Sequence, residues 1–170
     1  MKKVYSIAGL KVELTGSYTL QQVTQLPGFD VFEIEDLSDT NADVYIHLDS
    51  DINIVNLTNI HRVHHTEMMD IEHTFSRCEE GYIYEMHRQD GSKIVSIVYD
   101  LKSNHVFMSP SDCLMSVKYA MWVAFTLSAI EKNVIPIHAS SIVKDSEAVM
   151  FLGESGTGKS THTGLWLKYI

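Results

Sequence analysis

Near the C-terminal end of the sequence, Gly153-Glu154-Ser155-Gly156-Thr157-Gly158-Lys159-Ser160 carries three glycines, a lysine and a serine at the spacing of a phosphate cradle. Glycines let a loop curl so that successive backbone N–H groups point inward at phosphate oxygens. A lysine placed like Lys159 reaches the β- and γ-phosphates, and a hydroxyl placed like Ser160 ligates Mg²⁺. The apolar run Ala148–Leu152 before the loop reads as a strand. Thr161 to Tyr169 reads as a helix, whose N-terminus favours anions. The chemistry implied is that of a nucleoside triphosphate, another nucleotide or pyrophosphate, with Mg²⁺.

The approach to the loop is unusual. Ile135 to Val143 also reads as a strand, and only Lys144-Asp145-Ser146-Glu147 separates it from the next one. So short a connection requires an antiparallel hairpin, whereas parallel strands need a long crossover. With Val143 opposite Ala148, His138 falls opposite Gly153, a titratable imidazole beside the phosphates. The alternative for His138 is a histidine packed within a strand.

These residues resemble the HPr kinase/phosphorylase family and the related phosphoenolpyruvate carboxykinases. The likeness is carried by His138-Ala139-Ser140-Ser141 and by Gly153 to Thr161, whose Ser155-Gly156-Thr157-Gly158-Lys159 core the carboxykinases share. The resemblance implies a phosphotransferase using ATP or pyrophosphate with Mg²⁺, the acceptor being a protein serine or a small acid. It implies a phosphate site of Gly153, Glu154, Ser155, Gly156, Thr157, Gly158, Lys159, Ser160 and Thr161, with Ser160 on the metal. His138 takes the place of the family's catalytic histidine. Glu154-Ser155-Gly156 stands where HPr kinases usually carry Asp-Ser-Gly, and Ile7-Ala8-Gly9-Leu10 has a likeness to their β-rich leader. The family's catalytic aspartates and later basic contacts lie beyond the P-loop helix. The 170 residues are therefore expected to be its N-terminal part. Such a part would not turn over alone and would expose an apolar surface to the missing half or to a second copy. The competing reading is a non-catalytic, nucleotide-responsive binding or regulatory module.

The elements ahead of the loop read as α+β. Val4–Thr15, broken at Gly9, shows strand alternation at Val12 and Leu14. Val44–Leu48 reads as another strand. Tyr82–Met86 and Lys93–Tyr99 flank Asp90-Gly91-Ser92 as a hairpin, and His105–Met108 follows the turn at 102–104. The expectation is an antiparallel β-rich domain over 1–108, then 109–170 holding a long buried helix and the start of an HPr kinase/carboxykinase-type P-loop region. Ser109 as N-cap and Pro110 at the first position predict a helix to about Lys132, ending near Asn133. It is apolar nearly all round, which implies burial on several sides. Residues 17–42 and 49–70 resist assignment.

Composition bounds the rest. The net charge of −9 argues against nucleic acid or an anionic membrane as partner. Two distant cysteines, Cys78 and Cys113, suit a reducing cytoplasm rather than a disulfide framework. Leu114–Ile130 is too short for a membrane span. His61, His64, His65, His73 and His87 lack the spacing of a specific metal motif and read as surface histidines; on a helix, His61 and His65 would share a face. Asp49-Ser50-Asp51-Ile52-Asn53 reads as a solvated acidic turn, because Ile54 and Ile60 stand where a calcium loop needs glycine and glutamate. Tyr82, Tyr84 and Tyr99 are expected to pack.

Overall fold

The computed structural model describes residues 1–35, 41–53, 56–154 and 156–169. Contacts divide the chain into two units, Met1–Val134 and Ile135–Ile170. The long helix expected within 109–170 thus groups with the sheet that precedes it. Asp36 and Asp39 lie outside the described residues.

The first unit opens with a hairpin of β1 (Lys2–Ile7) and β2 (Leu10–Thr15). Ala8 and Gly9 both take positive φ, 53° and 79°, the turn whose twist matches that of the flanking strands. Val12 and Leu14 point into the core, as their alternation requires. A short helix follows, α1 (Tyr18–Thr24), burying Thr19, Leu20 and Val23. Its hydroxyl- and glutamine-rich sequence gave little helical signal. β3 (Val44–His47) then pairs parallel to β2.

Five further strands complete the sheet: β4 (His61–Met68), β5 (Ile71–Arg77), β6 (Gly81–Arg88), β7 (Lys93–Asp100) and β8 (His105–Met108). They pair antiparallel in succession, and β8 closes against β3 in parallel. The order is β1-β2-β3-β8-β7-β6-β5-β4. The expected antiparallel sheet therefore holds except at β3, which is parallel to both neighbours. The crossover through α1 returns the chain to the same end of the sheet, which imposes that sense.

α2 (Leu114–Ile130) packs on β3, β7, β8 and α1. Two expectations about it are corrected. It begins at Leu114, not at Pro110, because Ser109 is taken by the sheet. Its N–H donates to the Ser96 carbonyl at 2.9 Å, and its Oγ accepts the Ser96 N–H at 2.9 Å. It is also not buried all round. Val117, Ala120, Met121, Ala124 and Ser128 form one buried stripe, while Met115, Trp122 and Ile130 are exposed. Small residues at the contact let the helix lie close to Ile46, Val95, Ile97, Val106 and Met108 of the core. The helix ends at Ile130, two residues short of the expected Lys132, and Asn133 follows at φ 59°.

The sheet's other face carries a smaller cluster, Cys78, Ile83 and Val98, under Ile52 and Leu57. Here Gly81 is required by close approach, since a Cβ would sit 1.9 Å from the Tyr99 carbonyl oxygen. His61 and His65 lie on the exposed edge strand β4 rather than on a helix. His73 is not a surface histidine: it is buried, and its Nδ1 lies 2.5 Å from the Tyr84 hydroxyl. The tyrosines pack, Tyr82 stacking on Tyr99 and Tyr84 meeting Tyr119. No helix among the described residues is long and apolar enough to cross a membrane.

The second unit is small. β9 (Ser140–Lys144) and β10 (Glu147–Phe151) form an antiparallel hairpin, with Val143 opposite Ala148 as the turn length predicts. Asp145 and Ser146 take φ 50° and 68° in the two-residue turn. α3 (Lys159–Tyr169) follows, starting two residues ahead of the expected Thr161.

Candidate functional site

The glycine-rich loop joins the end of β10 to the first turn of α3. Gly156 and Gly158 take φ 84° and 85°, a region that costs glycine little and other residues more. These glycines curl the chain so that Lys159 and Ser160 open the helix. Thr157 ties the curl together: its Oγ1 donates to the Glu154 carbonyl at 2.8 Å. On the far side, the His162 N–H donates to the Gly158 carbonyl at 2.9 Å.

Lys159 folds back over the loop. Its ammonium donates to the carbonyls of Gly153 at 2.8 Å and Glu154 at 2.7 Å. A cation is thereby held against the loop at a helix N-terminus, where an anion would be attracted. The helix buries no described residue, and Phe151 rests edge-on against His162 and Trp166. Gly153, Glu154, Gly156, Thr157, Gly158, Lys159, Ser160 and Thr161 are contiguous in this turn; Ser155 lies outside the described residues.

His138 stands apart from the ladder. The register that would put it opposite Gly153 is present, but pairing starts at Ser140 opposite Phe151. The strand expected from Ile135 is thus shorter by its first half, and His138 is exposed in the chain before it. β10 ends at Phe151, so the chain before Ser140 has no ladder to join.

One neighbour of the loop escaped sequence reasoning. The Ser140 hydroxyl lies 3.4 Å from that of Ser160. The signal was the hairpin register itself, which carries Ser140 to the strand end next to the loop. Among the described residues no group of three or more histidines, cysteines, aspartates or glutamates could hold a metal ion. No family model matches this sequence, and no curated protein or solved structure matches it.

Proposed function

We propose that Gly153–Thr161 is a P-loop that binds the phosphates of ATP, another nucleotide or pyrophosphate, in a phosphotransferase of the HPr kinase/phosphorylase or phosphoenolpyruvate carboxykinase type. The observation that carries this reading is the joining of a positive-φ glycine curl to a helix that starts on Lys159 and Ser160. The residues present fit the ligand. The cradle supplies backbone N–H groups, and Lys159 supplies the one charge that must move. In binding, its ammonium leaves the Gly153 and Glu154 carbonyls for phosphate oxygens, exchanging two neutral acceptors for a charged one.

Ser160, in the first turn of α3, would hold Mg²⁺ through its hydroxyl, and the ion when bound neutralises phosphate charge. His138 is retained as the acid–base residue, needing a carboxylate partner to hold one tautomer. The acceptor is a protein serine or a small acid, and the setting is cytoplasmic. The experiment is calorimetric titration of ATP, ADP and pyrophosphate, with and without Mg²⁺, into the wild type and Lys159→Ala. Binding that the substitution weakens supports the reading. Equal affinity in both proteins overturns it.

A further inference from the structure

Far along the sequence from the loop, two imidazoles meet on the sheet face turned away from α2. β3 and β8 are adjacent and parallel, with Tyr45 opposite His105 and His47 opposite Phe107. Alternation sends Val44, Ile46, Val106 and Met108 into the core and leaves Tyr45, His47, His105 and Phe107 on the other face. There His47 Nε2 and His105 Nδ1 share a hydrogen bond of 3.0 Å.

The pair is held on several sides. His47 Nδ1 is 2.9 Å from Thr15 Oγ1, on β2. Phe107 stacks on the His47 ring at 5.0 Å, and Tyr45 lies against the His105 ring at 4.5 Å. Glu13 is the nearby carboxylate, and it also pairs with Lys2 at 3.0 Å. Burial, and then the second imidazole, push the His47 pKa down, against a smaller upward pull from Glu13.

We infer that His47 Nε2 and His105 Nδ1 form a two-histidine site for a divalent transition metal, with Cu²⁺ or Ni²⁺ preferred over Zn²⁺. Two nitrogens each about 2.0–2.1 Å from one ion are about 2.9 Å apart at a right angle and about 3.4 Å apart at a tetrahedral angle. The observed 3.0 Å matches the right angle, the geometry of tetragonal Cu²⁺ and Ni²⁺. Thr15 acts as the outer partner that fixes a ligand's tautomer: His47 keeps Nδ1–H toward Thr15 and presents bare Nε2. His105 carries its proton on Nε2 and presents Nδ1. Ligation breaks the hydrogen bond between the rings, and the proton it held moves to the other nitrogen of His105, so none is released. Water completes the coordination.

The test is titration of the untagged chain with CuCl₂ at neutral pH, followed by electron paramagnetic resonance and calorimetry. The expected result is one ion per chain with a tetragonal signal split by imidazole nitrogens. His47→Gln and His105→Gln should each weaken binding at least about tenfold, and Thr15→Val about tenfold, the range of outer-partner losses. His61, His64 and His65 on the exposed edge strand are the competing ligands. A triple substitution of these to glutamine should leave the site intact. Loss of the signal in that triple variant, its persistence in His47→Gln, or no stoichiometric binding overturns the proposal. Circular dichroism of each variant separates lost ligands from lost fold.

Discussion

The two units of this chain contrast in what holds them. In Met1–Val134, an eight-stranded sheet and α2 enclose a core in which Val95, Ile97, Val106, Ala120 and Ala124 are fully buried. Among the described residues of Ile135–Ile170, only Ile142 is buried, α3 buries none, and Val143, Met150, Leu152 and Leu167 are more than half exposed. Both units are rich in apolar residues, so composition does not separate them. The difference is that the first has enough elements to cover a sheet face, while a two-stranded hairpin and an 11-residue helix do not. The unit carrying the candidate chemistry is the one with little internal stability.

The two tryptophans make this contrast measurable, since Trp122 is in the first unit and Trp166 in the second. The largest expected effect is in the first core. Ile97→Ala should cost about 2–5 kcal/mol in urea unfolding followed through Trp122 in a Trp166→Phe background. Met150→Ala, on exposed β10, should cost within about 0.5 kcal/mol by either reporter. Equal costs at the two positions would erase the distinction between the units.

Next in size is Lys159→Ala. Losing a charge-assisted contact worth about 1.5–3 kcal/mol should weaken pyrophosphate or ATP binding by roughly 10- to 150-fold. The Trp122 transition should not move, because the Lys159 ammonium donates to the Gly153 and Glu154 carbonyls of its own unit. A parallel fall in the unfolding midpoint of the first unit would show the substitution acting through the fold.

A smaller effect is expected at Asp49. Its carboxylate accepts the backbone N–H groups of Ser17 and Thr19 and the hydroxyls of both, securing the start of α1. Asp49→Ala should cost about 1 kcal/mol, as for a lost helix cap. Burial pulls this carboxyl's pKa up, but the hydrogen bonds from Thr19 and Ser17 together outweigh it and hold it below 3.8. Its contribution is thus present above pH 3.8 and lost as pH falls through the lower folded value. Acid titration of wild type against Asp49→Asn should show the wild type losing more stability in that range.

The mildest effect comes from the histidines of the sheet. Burial lowers the pKa of His47 and His73 below 6.5. Below that value the unfolded chain binds more protons than the folded one. Stability is therefore complete above pH 6.5 and falls as pH drops through the folded values. The Trp122 urea midpoint should decline over this window, and less so in His73→Gln. A midpoint independent of pH between neutrality and pH 5 would contradict the burial of these rings.

Legibility varied with the range of the interactions involved. The β6–β7 and β9–β10 hairpins and the turn after β7 were readable because register follows from a few local residues. β4 was missed: its eight residues are all exposed, so His61 to Met68 show no alternation, and pairing with β5 alone makes the strand. The start of α2 was misplaced because Ser109 finds its partner at Ser96, 13 positions earlier. His73 was misread because its cover comes from Tyr84 and from Tyr119 on α2.

By itself the sequence determined the local chemistry: which residues curl at Gly156 and Gly158, which cation and hydroxyl follow, and how Val143 meets Ala148. Backbone torsions and short turns are set by neighbouring residues, so these features need no distant partner. Only the tertiary structure decided that β3 runs parallel between β2 and β8. That placement brings Thr15, His47 and His105 from three separated segments to one spot. Nothing in the spacing of residues 15, 47 and 105 announces it, because strand order depends on which surfaces find cover across the whole core.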